Sequence, residues 1–158
     1  MSYLTNVLIL LSILTFNFLP ITQQKPISYK TNIQKQSVLL KIDVRGGRCR
    51  TGECFTKIVI DKEGNYKVDA NFGKKSGKLE VTDLTELESL LTQADFKVIK
   101  AKKFTGDCPT SFDGQEFIYS FRHSGKTEVI SSCKVEIDYE TPLFSLVQKI
   151  YSNCIEGM

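Results

Sequence analysis

No charged side chain occurs before Lys25; all 21 lysines and arginines and all 18 aspartates and glutamates lie from there onward. Within that uncharged stretch, Val7 to Leu19 is a thirteen-residue, largely apolar run closed by Pro20. It lacks a polar face, which argues against a helix buried in a soluble domain. It falls short of the roughly 20 residues of a comfortable transmembrane helix, and it matches the apolar core of a signal peptide. No cysteine lies near it, so a lipoprotein anchor is excluded. Residues 1–24 are expected to be a signal peptide or a membrane anchor, and residues 25–36 a polar leader.

Tryptophan is absent and His123 is the single histidine. His123 falls in a hairpin turn beside Ser124, where neighbours do not normally point at each other, and no Gly-x-Ser-x-Gly elbow is present. No Cys-x-x-Cys occurs, which removes the usual redox motif. There is one close cysteine pair and no second, so the spacing of a structural zinc site is missing. The Asp61 turn fails as a calcium loop because its later ligand positions are Lys67 and Phe72. A net charge of +3 is too mild to attract nucleic acid by bulk electrostatics. The expectation is a non-enzymatic chain with no cofactor, no metal ligands and no nucleic-acid partner.

What remains is one domain, residues 37–156. Val38, Leu40, Ile42 and Val44 alternate with Lys41, Asp43 and Arg45, which predicts a half-buried strand over 37–45. Gly46-Gly47 then breaks it. A second strand is expected over 54–60, a turn at Asp61 to Gly64, a third strand over 65–70 and a short fourth over 78–81, with 71–77 between them as a turn. Asp83 and Glu86 have the spacing of a capping box opening a helix striped by Leu84, Leu87, Leu90 and Leu91. Residues 96–104 read as a strand or extended connector. A hairpin follows over 115–133, with Phe117, Tyr119 and Phe121 on one face and Thr127, Val129, Ser131 and Cys133 on one face of its partner. Thr141 and Pro142 start the last helix and Gly157 ends it. The fold class is α+β: an antiparallel sheet, meander plus hairpin, with two helices packed on one face.

Five cysteines follow the leader. The chosen pairing is Cys49 with Cys54 and Cys108 with Cys133, leaving Cys154 as a buried thiol. Pairing Cys154 with Cys133 or Cys108 remains open, since four cysteines alone allow three connectivities. In an oxidising compartment the chosen bridges contribute about 2 and about 3.5 kcal/mol by loop-closure entropy.

Three stretches are candidates for binding. Arg45-Gly46-Gly47-Arg48-Cys49-Arg50 holds three arginines, whose planar forks suit carboxylates and phosphates. Thr105 to Gly114 is a loop fixed by Cys108-Pro109 and carrying Thr110 and Phe112. Lys74, Lys75 and Lys78 join Lys97, Lys100, Lys102 and Lys103 in one basic patch if the connector lies on their side of the fold; otherwise they are solvated edges.

The order of Gly46-Gly47, Cys49, Asp61 to Gly64, the helix from Asp83, Cys108-Pro109, the hairpin and the Pro142 helix resembles that of a family of small bacterial exported domains. The resemblance implies export and brings no activity. Cys108-Pro109-Thr110-Ser111 and Cys133 are also similar to the bacterial subtilisin-inhibitor fold, whose reactive bond follows a Cys-Pro pair. That resemblance implies Thr110 as the residue read by a protease, although here the first disulfide closes a much shorter loop and a helix follows Pro142. The expected location is secreted, periplasmic or lumenal. The expected role is binding or accessory work, with another protein at the envelope or outside the cell as partner. An anionic surface is the other partner class the lysines and arginines suit, and membrane contact follows only if residues 1–24 are retained.

Overall fold

A computed structural model describes residues 38–49 and 52–158. The leader (1–36) and Arg50 lie outside the described residues. Among those described, no helix is long and apolar enough to cross a membrane.

The fold is α+β. Six antiparallel strands run β1 (Val38–Cys49), β2 (Gly52–Asp61), β3 (Asn65–Ala70), β4 (Gly73–Lys78), β5 (Glu116–His123) and β6 (Lys126–Ser131). Their order in the sheet is β4-β3-β2-β1-β5-β6. β1 is central because its alternation leaves one apolar face and two free edges. β2 pairs on one edge and β5 on the other, with Ile42 opposite both Ile58 and Tyr119. Helices α1 (Val81–Gln93) and α3 (Pro142–Ile155) pack against the sheet, and a six-residue α2 (Phe96–Ala101) lies between α1 and the second hairpin.

The inner layer is apolar and continuous. Leu40, Ile42, Ile58, Ile60, Phe121, Ile130, Leu87, Val147 and Ile150 are fully buried, each contributing about 1.5–3 kcal/mol by leaving water. Aromatic pairs tie the layers together: Tyr119 to Phe144 and Phe117 to Tyr151, both with centroids 5.6 Å apart. The outer face of the sheet mixes charged side chains with Phe55, Val59, Ile118 and Val129. Register places Lys74, Asp69, Lys57 and Asp43 in one row across four strands, alternating in charge.

Several expectations give way. Gly46-Gly47 does not end β1. The pairing slips between Arg45 and Arg48, where β1 spends three steps against two of β2; this is a bulge with both glycines at positive φ. β4 is Gly73–Lys78, so the expected turn is itself a strand, and Val81 belongs to α1. Its apolar alternation is missing because it is an edge strand, and Tyr66 lies over Gly77, its hydroxyl oxygen 2.5 Å from where a Cβ would stand. Asp83 does not cap α1, which starts at Val81 without a side-chain cap. Asp83 is instead buried and accepts from Lys149 Nζ of α3 at 2.6 Å. Residues 96–101 are helical, because the Asp95 carboxylate accepts the Lys97 and Val98 amides at 2.9 and 3.1 Å. On β6, by contrast, Thr127, Val129 and Ser131 do share a face, opposite that of the buried Ile130.

Candidate functional site

The register of two strands builds the site. Arg45 of β1 pairs with Glu116 of β5. The bulged end of β1 therefore lies against the segment that leads into β5, 108–115. The chain there is a single 3₁₀ turn, Pro109–Phe112, closed by the Gly114 amide on the Pro109 carbonyl at 2.7 Å. Each side of the junction carries its own disulfide, Cys49–Cys54 and Cys108–Cys133. The fifth cysteine, Cys154, is a buried free thiol.

The two sides touch without room to spare. A Cβ on Gly46 would stand 2.6 Å from Thr110 Cγ2 and 2.8 Å from the Gly114 carbonyl oxygen. Gly46 also has φ of +92°, so glycine is required on two counts. A cleft of about 480 Å³ opens beside this contact, lined by Arg45, Gly46, Gly47, Arg48, Thr110, Ser111, Asp113 and Glu116.

A chain of hydrogen bonds holds one wall of the cleft. Arg45 Nε donates to Glu116 Oε2 at 2.8 Å, Ser131 Oγ donates to Glu116 Oε1 at 2.5 Å, and the Cys133 amide donates to Ser131 Oγ at 3.2 Å. Burial pushes the Glu116 carboxyl up, but the hydrogen bonds from Ser131 and Arg45 and the charges of Arg45 and Lys134 outweigh it. The group is held below the usual carboxylate range. On the other wall Arg48 Nε lies 3.9 Å from Asp113 Oδ2, and the Arg48 side chain is 91% exposed. Asp113 has φ of +67° at the end of the 3₁₀ turn.

Arg45, Arg48 and Thr110 thus meet in one cleft although they come from distant parts of the chain. Phe112 is 73% exposed on the turn beside it. Two more exposed phenylalanines sit at the same end of the sheet: Phe55, the cross-strand neighbour of Arg45, and Phe72 in the β3–β4 turn, next to Phe55 through the Asn71 amide. Glu116, Ser131, Ser111 and Asp113 carry no mark of a binding site in the sequence. Their only signal is the β1–β5 register, which no local pattern reveals.

Other candidates separate. His123 is at the far end of β5 from Glu116, about 23 Å away at strand rise, with its ring on Phe96 of α2 at 5.0 Å. The lysines of β4 and those of α2 do not form one patch. β4 is one edge of the sheet, while Lys100 pairs with Glu128 of β6, the other edge, at 2.5 Å. Two sulfurs, of Cys108 and Cys133, and a Glu116 oxygen lie within 4.8 Å of one another. The sulfurs are joined in a disulfide, so this trio presents no thiolate to a metal.

No protein-family model matches the chain, and no curated protein matches it.

Proposed function

We propose that the chain is an exported protein-binding domain whose binding face is the rim formed by the β1 bulge and the 109–112 turn. The observation that carries this is the convergence of two disulfide-stapled loops, some 60 residues apart in sequence, into one rigid polar cleft flanked by exposed phenylalanine. Arginine and aromatic side chains are the residues enriched in protein interfaces. Rigidity lowers the ordering cost of association. Two disulfides and the uncharged apolar leader support an oxidising compartment. Val38 begins β1 at the end of the strand opposite the rim.

The inhibitor reading of Cys108-Pro109-Thr110 asks for an extended, strand-like segment that a protease can pair with. Pro109–Phe112 is wound into a 3₁₀ turn, so the binding-domain reading is preferred.

The test is retention of partners by the immobilised full-length protein from envelope and extracellular fractions of its host. The reading expects a discrete set of proteins held by wild type and by K67E on the outer sheet face, and lost with R48E and F112A. Proteins held regardless of the rim, or none at all, would overturn it.

A further inference from the structure

The two arginines of the cleft are occupied at one edge only. Arg45 meets Glu116 through Nε, and Arg48 approaches Asp113 through Nε at 3.9 Å. Among the described residues neither guanidinium donates a hydrogen bond from its two terminal nitrogens. A guanidinium held by Nε still presents its Nη donors, the fork that matches paired oxygens.

The two sides of the cleft are built differently. Glu116 is 7% exposed, and both of its oxygens are taken, one by Arg45 and one by Ser131. It cannot swing toward the Arg45 terminal nitrogens without stranding the Ser131 hydroxyl in a buried place. It is a fixed counter-charge that orients Arg45. Asp113 is half exposed and at the limit of ion-pair distance, so its hold on Arg48 is weak and easily exchanged. Ser111 also lines the cleft, and its hydroxyl has no hydrogen-bond partner among the described residues.

We propose that this cleft binds an oxyanion, a carboxylate or phosphate group of the partner, between the terminal nitrogens of Arg45 and Arg48, with the Asp113 carboxylate as the internal competitor it displaces. This rests on the reading of the rim as a binding face and names the chemistry that face recognises. Glu116 is a positioning residue: it touches Arg45 and not the ligand. Phe112, beside the cleft, gives the remainder of an acidic partner segment an apolar contact.

The experiment is a titration of the oxidised full-length protein with sodium succinate and, separately, inorganic phosphate, against sodium chloride at matched ionic strength. The readout is the Nε–Hε resonances of Arg45 and Arg48. Saturating shifts are expected at both, with apparent Kd of about 1–10 mM, the range of a single ionic contact. The anion that saturates at the lower concentration identifies the partner group as carboxylate or phosphate, and either result supports the proposal. R48Q, at a position too exposed to affect folding, weakens binding by about fivefold, a loss of the order expected for one charge-assisted contact. D113N strengthens it by about two- to threefold, because the internal competitor loses its charge. K67Q leaves it unchanged.

Shifts that grow linearly and equal those in chloride would overturn the proposal, as would affinity indifferent to both R48Q and D113N. If anions fail to bind while R48E and F112A still lose the retained proteins, this inference falls and the binding face stands. If anions bind but retention ignores the rim, the binding-face reading falls instead.

Discussion

Gly46 and Thr110 interlock. The Thr110 methyl occupies the space that any side chain on Gly46 would need, 2.6 Å from the Cβ position. That contact fixes the β1 bulge against the 3₁₀ turn and so fixes the cleft. Replacing Gly46 by alanine adds a clash on Thr110, a second on the Gly114 carbonyl, and a left-handed backbone that alanine resists. G46A is expected to lower stability by about 2–3 kcal/mol. T110S, which removes the methyl but not the backbone clash, restores only part of this in the double variant. Urea unfolding of the three variants measures both numbers.

The sign of the pH dependence follows from Glu116. Its carboxyl is held below the usual range in the folded protein, so the folded state favours the ionised form. That stability is present above the unfolded-state pKa, about 4.3, and is lost as pH falls through the lower folded value. E116Q removes the charge and should flatten the acid limb of a stability-versus-pH curve. At neutral pH it should cost about 1–2 kcal/mol, since the amide keeps the shape but not the charge-assisted bonds. An acid limb as steep in E116Q as in wild type would reject this assignment.

Cys154 sits in the core, and burial pushes its thiol up to about 11, with the Lys75 charge opposing. The native protein should not react with Ellman's reagent at pH 8, and should release one equivalent when unfolded without reductant. Because the folded pKa lies above the unfolded one, this group's contribution is intact below about pH 8.5, the free thiol value, and is lost as pH rises toward 11. Tyr66 and Tyr151, also raised by burial, add to the same alkaline loss. Two or more equivalents of reactive thiol in the native state would contradict the pairing seen here.

The disulfides differ in what they hold. Cys49–Cys54 closes a five-residue separation and Cys108–Cys133 one of twenty-five. Replacing the first pair by serine should cost about 2 kcal/mol and the second about 3.5. The second should also loosen the cleft, because the Cys133 amide is bonded to the Ser131 hydroxyl that holds Glu116. Thermal denaturation of the two double variants gives the order. Anion titration of each tells whether only the second weakens the site.

Much of the fold is legible where alternation is strong. β1, β2, β3 and β5 carry apolar residues at alternate positions along much of their length, and Pro142 marks α3. Legibility fails where a side chain serves a distant partner. Asp83 looks like a helix cap by its spacing with Glu86, yet Lys149, 66 residues on, claims it. β4 has no apolar alternation to read, because it lies at an edge and its Gly77 is covered by Tyr66. The arginines and the Cys-Pro turn can be picked out one at a time from composition. That they form one site depends on the Arg45–Glu116 register, a long-range pairing that composition does not encode.

The most direct test of the central claim is site-specific photocrosslinking in the native host. A benzophenone amino acid replaces Phe112 on the rim or, as a control, Val129 on β6, both exposed. The account predicts a discrete protein adduct from position 112 that disappears when R48E is added, and no such adduct from position 129. The same adducts from both positions, or none from position 112, would contradict it.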